Sequence, residues 1–122
     1  MTLRLATNRA KKSNFIRARV GAVIAKGGRV LSSGCNRIGY TKYIPNREFP
    51  ESVHAEVQAI LVLLKRRKFA ELAGSTMFVS RVNSSNDTRL AAPCPDCQKL
   101  IRSVAIRKVI YTTDTGSEEW FP

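Results

Sequence analysis

The sequence predicts an α/β protein, a three-layer α-β-α sandwich around a mixed sheet of about four to five strands. Short apolar runs rich in β-branched residues and bounded by turn residues predict strands. Two segments with apolar residues at three-and-four spacing predict amphipathic helices. These helices alternate with strands in the second half of the chain, an order that favours parallel pairing there. At 122 residues, the chain is expected to form a single domain over 1–122.

The first half of the chain predicts a helix followed by a β-hairpin. Around residues 3–10, apolar residues among arginines and lysines indicate a short helix. Two apolar, β-branched runs on either side of the turn signal Gly27-Gly28 predict a hairpin over 19–36. Residues 34–51 are expected to form a long loop that carries aromatic and basic side chains.

The second half predicts two helices and two further strands. The four cations at 65–68 follow the clearest helix, where they suit the C-terminal end of the helix dipole. The predicted elements are a helix with Val57, Ile60, Leu61 and Leu64 on its buried face, a strand over 76–82, polar turn residues over 83–92, a helix marked by Cys97, Leu100, Ile101 and Val104, and a strand over 108–112.

Charge is the second strong feature of the sequence. There are 21 Lys and Arg residues against 9 Asp and Glu, a net charge of +12. The excess is concentrated in residues 1–50, which hold eleven cations and one acid, Glu48. Such an excess attracts polyanions and steers them towards the protein. A polyanionic substrate or partner is therefore expected, although cations that only maintain solubility would give the same composition.

Composition also limits where the protein is expected to act. No apolar run approaches the roughly 20 residues that span a bilayer, and no apolar stretch follows the cations near the N-terminus. Neither a membrane partner nor a signal peptide is expected. Three cysteines make a poor disulfide framework and favour a reducing setting, so the chain is expected to be cytoplasmic.

One histidine, two cysteines and a glutamate indicate a metal centre. His54 is the only histidine, and Cys94 and Cys97 are two of the three cysteines. An imidazole and two thiolates can fill three of the four tetrahedral positions of one zinc ion per chain and leave the fourth for water. Glu56, two residues from the histidine, can move protons to and from that water. Both pairs are expected in the first turn of a helix, where free amide groups favour thiolates.

Other interpretations of these residues remain open at this point. A lone histidine is often a capping or core residue. Cys94 and Cys97 could instead form a redox pair or part of a closed zinc knuckle, which would need a fourth ligand such as Cys35. Strand alternation places Cys35 on the opposite side from Asn36, so a buried, inert thiol is expected there.

Several motifs, in this order, resemble the cytidine and deoxycytidylate deaminase superfamily over most of residues 19–112. His-x-Glu followed by Pro-Cys-x-x-Cys is the known signature of zinc nucleobase deaminases. The matching segments are Val20-Gly21-Ala22-Val23, Gly34-Cys35-Asn36-Arg37, His54-Ala55-Glu56-Val57-Gln58-Ala59-Ile60 and Ala92-Pro93-Cys94-Pro95-Asp96-Cys97.

The resemblance implies a fold of the cytidine deaminase type and a role for each matching residue. It makes Glu56 the proton shuttle and places Asn36 against the base or sugar of the substrate. It also places the Ala55 backbone N–H against the base. Asn36 could instead be an ordinary turn residue at the end of a strand. The zinc ligands that the resemblance implies are His54, Cys94 and Cys97.

Two departures from the family concern the rim of the pocket. Residues 82–92 separate the third strand from Pro93, whereas in many relatives the strand runs almost directly into the Pro-Cys motif. The chain also stops about ten residues after Thr112, which is expected to be too soon for the helix and fifth strand that many relatives carry.

The expected function is hydrolytic deamination of cytosine to uracil in single-stranded nucleic acid, with DNA favoured. In this interpretation Tyr40 and Tyr43 stack on flanking bases and Arg37 contacts phosphates, although the tyrosines could equally be packing residues of the loop. The first alternative is a free-nucleotide, deoxycytidylate deaminase. Further alternatives are a tRNA adenosine deaminase and an inactive zinc-containing module that binds nucleic acid; the intact Glu56 argues against the last. The oligomeric state is left open.

Overall fold

The computed structural model describes residues 2–14, 18–38 and 52–122, so Tyr40 and Tyr43 lie outside the described residues. Within these ranges, no helix combines the length and apolar character needed to cross a membrane. In chain order, the elements are α1 (Thr2–Ala10), β1 (Arg19–Lys26), β2 (Arg29–Cys35), β3 (Arg37–Ile38), β4 (Ser52–Val53), α2 (Ala55–Lys65), a 3₁₀ helix (Phe69–Leu72), β5 (Thr76–Val82), β6 (Thr88–Arg89), α3 (Pro95–Ser103), β7 (Lys108–Thr112) and β8 (Ser117–Trp120).

The main sheet is mixed and has six strands. Its order is β2-β1-β5-β7-β8, and β6 pairs with the end of β5 that β7 leaves open. β5 and β7 run parallel, and the other neighbours are antiparallel, which confirms the predicted α/β class with a mixed sheet. The expected loop over 34–51 is corrected, because it contains the end of β2 and strand β3, which pairs with β4 in a second, two-stranded sheet. Two predictions about the main sheet are also corrected. The segment 83–92 contains strand β6, and a fifth strand in the main order, β8, does follow β7.

The β1–β2 hairpin forms as predicted because its turn residues tolerate positive φ angles. Gly27 and Gly28 have φ angles of 59° and 77°. Such a turn matches the right-handed twist of the flanking strands. The pair Lys26↔Arg29 closes the hairpin directly beside these glycines.

Helices cover both faces of the sheet, which confirms the three layers. Gly21 lies against the backbone of α1, and Gly34 in the neighbouring strand lies against α2. On the second face, side chains of the sheet pack with α2 and α3 in one apolar core. The residues of this core include Ala22, Ile24, Met77 and Val79 from the sheet, and Ala59, Ile60 and Ile101 from the helices.

Helices α2 and α3 both end in a Schellman motif with a residue other than glycine in the left-handed position. At the end of α2, Lys68 N–H donates to the Leu63 carbonyl, and Arg67 has φ 56°. At the end of α3, Ile106 N–H donates to the Ile101 carbonyl, and Ala105 has φ 60°. Glycine is the residue that this position favours.

Candidate metal centre

His54 lies at the N-cap of α2. Its φ and ψ angles are −67° and 149°, and its carbonyl accepts the first helical hydrogen bond, from Gln58 N–H at 3.0 Å. The prediction that His54 lies within the first turn is thus corrected by one residue, while Glu56 does lie in that turn. The imidazole makes no capping hydrogen bond to the helix. The interpretation of His54 as a capping histidine is therefore wrong, and the ring faces the cysteines instead.

Cys94 has the corresponding position at the start of α3. It is the N-cap residue, Pro95 follows as the first helical residue, and Cys97 lies one turn along. Proline suits that position because its missing N–H would have no acceptor in the helix. The Gln98 side chain donates to the Pro93 carbonyl at 3.0 Å and fixes the approach of the chain to Cys94. The sequence analysis missed this positioning role.

The three donor atoms converge at distances that suit zinc. His54 Nδ1 lies 3.3 Å from Cys97 Sγ and 3.6 Å from Cys94 Sγ. Zn–S bonds of about 2.3 Å and Zn–N bonds of about 2.0–2.1 Å at the tetrahedral angle put nitrogen and sulfur about 3.6 Å apart. One observed separation equals this value, and the other is about 0.3 Å shorter. The three side chains thus fit one zinc ion per chain.

The described residues supply three donors to this site. Neither Cys35 nor Glu56 belongs to the donor group. Cys35 is buried at 5% exposure and pairs with Gly21, whose face of the sheet is covered by α1. Its predicted burial is confirmed. The structure therefore does not bring Cys35 to the site as the fourth ligand of a closed knuckle.

A hydrogen bond between Cys94 and Cys97 shifts their thiol pKa values in opposite directions. A hydrogen bond from the Cys97 thiol lowers the pKa of Cys94 to about 4; burial opposes this shift and His54 supports it. The same hydrogen bond, together with burial and the charge of Glu56, raises the pKa of Cys97. Cys94 is thus the thiolate of the pair, and Cys97 gives up its proton when it becomes a metal ligand.

The Glu56 carboxyl is buried beside the donor group. It is only 5% exposed, and this burial raises the pKa of Glu56, while the His54 imidazole lowers it in part. A carboxyl that is held in place and whose pKa is raised can accept a proton and return it during one reaction. The site thus combines three side chains that can bind a metal with one carboxyl that can transfer protons.

Asn36 lies at the end of β2 and is 4% exposed. Its side-chain oxygen accepts a hydrogen bond from Val20 N–H at 2.9 Å, and its amide group donates to the Ala18 carbonyl. Among the described residues, these two bonds leave one amide hydrogen and one lone pair of the side chain for a ligand. Its expected contact with substrate stays a prediction, as does that of Arg37, which is exposed on β3.

Ala55 is fully buried as the first residue of α2. Its N–H is one of the groups at a helix start that have no acceptor within the helix. The N–H is therefore suited to bind an oxygen or a ring nitrogen of a ligand, and its expected contact with the base also stays a prediction.

Comparison with known proteins identifies the family. The profile of the cytidine and deoxycytidylate deaminase zinc-binding region matches residues 1–113. The chain belongs to this family. Membership confirms the expected superfamily and makes the protein a hydrolase that deaminates cytidine-type substrates.

Relatives with known names cover most of the chain. The deoxycytidylate deaminase of Mycobacterium phage D29 is 27% identical over 132 residues, which cover 93% of this chain and 92% of that protein. The apo crystal structure of the dCMP deaminase from cyanophage S-TIM5 has a TM-score of 0.69 at 28% identity, covering 91% of this chain and 79% of that one. A structure of the same enzyme with dCMP and dUMP has a TM-score of 0.55 at 26% identity, covering 90% and 74%.

A more distant structure supports the fold alone. The cytidine deaminase of Burkholderia pseudomallei has a TM-score of 0.71 at 17% identity, covering 98% of this chain and 88% of that one.

The phage relatives are named for a free nucleotide. The expectation of a single-stranded nucleic acid substrate is not confirmed, and the comparisons favour the free-nucleotide alternative.

Proposed function

We propose that this deaminase acts on a free pyrimidine nucleotide and converts dCMP and water to dUMP and ammonia. The observation that carries this choice is the similarity to a deoxycytidylate deaminase along 93% of the chain. We further propose that residues 1–122 act as a single domain. A reducing compartment such as the cytoplasm fits this chemistry, because the cysteine ligands must stay unoxidised.

Zinc held by His54, Cys94 and Cys97 would lower the pKa of a water molecule towards about 7 and so supply the nucleophile. In our proposal, Glu56 accepts a proton from this water and delivers it to N3 of the cytosine ring. The water oxygen forms a bond to C4 while the π bond between C4 and N3 opens. Glu56 then takes the second proton from the hydroxyl group now on C4 and delivers it to the exocyclic amine, the bond from C4 to that nitrogen breaks, ammonia leaves, and C4 becomes a carbonyl carbon. The raised pKa of Glu56 supports this role, because a strongly acidic carboxyl would not hold the proton between the two transfers.

We assign the placement of the substrate to two groups at the edge of the site. The Ala55 N–H, which begins α2, binds the base, and the Asn36 side chain binds the base or sugar. Both residues are almost fully buried, so their orientation is set before the substrate arrives. Fixed donors of this kind reduce the entropy that must be lost as the reacting atoms meet.

Cytosine in single-stranded nucleic acid is the second candidate substrate. The net charge of +12, concentrated in residues 1–50, favours it. In that case Arg37, Tyr40 and Tyr43 would contact the flanking nucleotides. A single nucleotide needs far fewer cations, and the charge excess is the one observation that supports a longer substrate.

A substrate panel separates the two candidates. The zinc-loaded protein is incubated with dCMP, a cytosine-containing DNA oligomer and the matching RNA, and the uracil formed in each is quantified. We expect turnover of dCMP and at most a small fraction of that rate with either oligomer. Conversion of an oligomer without conversion of dCMP would refute the proposed function.

Glu56→Gln is the matched control for the chemistry, because it keeps the size of the side chain. This variant should retain about one zinc per chain and lose at least about 100-fold in kcat, the contribution typical of a positioned proton-transfer group. Full activity in this variant would show that Glu56 is not the proton shuttle.

A further inference from the structure

A second cluster of polar and charged residues lines a cavity of about 420 Å³ beside the β5–β6 hairpin. The size falls within the range of small-molecule sites. Its lining includes two arginines, Arg81 and Arg89, with Asn83, Ser84 and one acid, Asp114. The zinc ligands and Glu56 do not contribute to this lining, so the cavity is distinct from the metal centre.

The two arginines lie directly opposite each other. Arg81 on β5 pairs with Arg89 on β6 in the antiparallel register, an arrangement that places both side chains on one face of the sheet. Like charges in this position destabilise a sheet. In the described part of the chain, neither guanidinium has a carboxylate within 4.0 Å, whereas Arg29 pairs with Glu71 and Lys108 pairs with Glu119. An anionic ligand would relieve the repulsion, and paired guanidinium groups suit a phosphoryl group.

Hydrogen bonds hold the backbones of both arginines in place. The Thr112 hydroxyl accepts a hydrogen bond from Arg81 N–H at 3.2 Å and donates to the Arg89 carbonyl at 2.7 Å. The turn beyond them is also ordered, because the Asn83 side-chain oxygen accepts from the N–H groups of Ser85 and Asp87, each at 2.9 Å. The backbone that carries the two arginines is therefore held in place before a ligand arrives, which reduces the cost of binding.

The register relates this cavity to the proposed substrate site. Asn36 bonds to Val20, Val20 pairs with Arg81, and Arg81 pairs with Arg89, so these positions form one row across the sheet. Two strand spacings, about 10 Å, separate the backbones of Asn36 and Arg81. A nucleotide and an extended arginine side chain can together span this distance. Val20 also packs with the core of α2 and α3, so the row faces the layer that carries the zinc ligands.

We propose that Arg81 and Arg89 bind the 5′-phosphate of the nucleotide and make the enzyme prefer nucleotide over nucleoside. This inference rests on the proposed function, because it assumes that the base of the same molecule reaches the metal centre. Asp114 forms part of the same cavity and leaves its three charged side chains with a net charge of +1. That balance suits one phosphoryl group, whereas a continuous strand of phosphates would be repelled at the carboxylate.

Steady-state kinetics with dCMP and deoxycytidine test this subsite. In Arg81→Gln and in Arg89→Gln, kcat/KM for dCMP should fall about 10- to 100-fold, the loss expected for charge-assisted hydrogen bonds. The value for deoxycytidine should change by less than about twofold, because the nucleoside has no phosphate to lose. Arg107→Gln, which removes an equal charge from an exposed position outside this cavity, should leave both values unchanged.

Asp114→Asn provides a test with the opposite sign. Removal of the carboxylate should raise kcat/KM for dCMP at least about twofold, because the negative charge of Asp114 no longer repels the phosphate at close range. Equal losses for dCMP and deoxycytidine in the two arginine variants, or no loss for either, would overturn the phosphate subsite while the proposed function stands.

A binding measurement separates failure of the subsite from failure of the proposed function. If the wild-type protein does not deaminate dCMP, the proposed function fails, and the subsite is judged on zinc-loaded Glu56→Gln protein. In that protein, dCMP must raise the Tm more than deoxycytidine does. Adding the Arg89→Gln substitution must abolish this difference between the two Tm shifts. Equal Tm shifts with dCMP and deoxycytidine would overturn the subsite. The subsite would also be overturned if Arg89→Gln lowered the affinity for a DNA oligomer but not the affinity for dCMP.

Discussion

Gly34→Ala tests whether the position of α2 on the sheet controls the metal centre. Gly34 lies on β2 directly beneath α2, and a Cβ atom there would lie 2.7 Å from Gln58 Cβ and 2.9 Å from Ala59 N. Carbon atoms in contact are normally about 3.5–4.0 Å apart. The neighbouring atoms are backbone and Cβ atoms, which cannot rotate away, so the helix must move by about 1 Å to accept the methyl group.

This movement should affect zinc and catalysis as well as stability. Overpacking of this kind costs about 1–3 kcal/mol of unfolding free energy. His54 and Glu56 belong to the displaced helix, whereas Cys94 and Cys97 belong to α3. The distance of 3.3 Å between His54 Nδ1 and Cys97 Sγ would therefore change. A displacement of about 1 Å can reduce the rate about 100-fold.

Gly21→Ala is the matched control because it disturbs the opposite face. Its Cβ atom would lie 2.2 Å from the Ala6 carbonyl oxygen and 2.4 Å from Ala10 N, both in α1. It should lower stability at least as much as Gly34→Ala, yet kcat per zinc-loaded molecule should stay close to the wild-type value. Gly116→Ala, where a Cβ meets nothing within 4 Å, should alter neither quantity.

The assay combines urea unfolding, zinc content and kcat normalised to bound zinc. A Gly34→Ala protein that retains its full zinc and the wild-type kcat would refute the proposal that packing at Gly34 positions the metal ligand and the proton shuttle. An equal loss of normalised kcat in Gly21→Ala would show that the effect is not specific to α2.

Three further predictions concern stability. Ala105→Gly should raise the free energy of unfolding by about 0.5–1 kcal/mol, because glycine tolerates φ 60°; a lower value in urea unfolding would contradict this. Asn83→Ala removes the acceptor of two hydrogen bonds in the β5–β6 turn and should cost about 1–2 kcal/mol, and an unchanged unfolding midpoint would rule this out. Removal of zinc by a chelator should lower the Tm, since zinc at a thousandfold excess over its Kd contributes about 4 kcal/mol. The Tm of Cys97→Ser, which lacks one ligand, should respond far less to the chelator, and an equal response would argue against the assigned site.

Local pattern predicted the elements whose residues carry a clear periodic or turn signal. The strand predicted over 76–82 has the observed bounds Thr76–Val82, because its β-branched and apolar residues lie in the middle of the sheet. The hairpin turn followed from Gly27-Gly28. Cys94 and Cys97 were predictable as a pair of ligands because the start of a helix places residues three apart on one side, and His54 because it is the only histidine in the sequence.

Four strands, β3, β4, β6 and β8, were not predicted from the sequence, and β6 and β8 depend on contacts with distant residues. β8 has the polar sequence Ser117–Trp120, without apolar alternation, and it is held by pairing with β7. Glu119 bonds to Lys108 at 3.1 Å, and the Arg102 guanidinium lies 5.1 Å from the centre of the Trp120 ring. β6 is only two residues long, and it pairs with Arg81 and Val82 on the edge of β5 that faces away from β1 and that β7 leaves open.

The remaining gaps in the site have the same origin. Asn36 lies at the expected strand end, but its side-chain bonds to Val20 and Ala18 depend on the exact register of β1 and β2. The pairing of Arg81 with Arg89 also follows from register. The available signal for a functional role was Arg81, an arginine within an otherwise apolar strand. Its partner Arg89 lay in the segment 83–92, which was predicted to be turn.

X-ray absorption at the zinc edge of the purified, zinc-loaded protein tests the central claim most directly. We predict two sulfur ligands at about 2.3 Å and two nitrogen or oxygen ligands at about 2.0–2.1 Å, one of them from His54 and one from a solvent molecule. Three or four sulfur ligands, or the absence of zinc from protein purified without chelators, would contradict an open site formed by His54, Cys94 and Cys97.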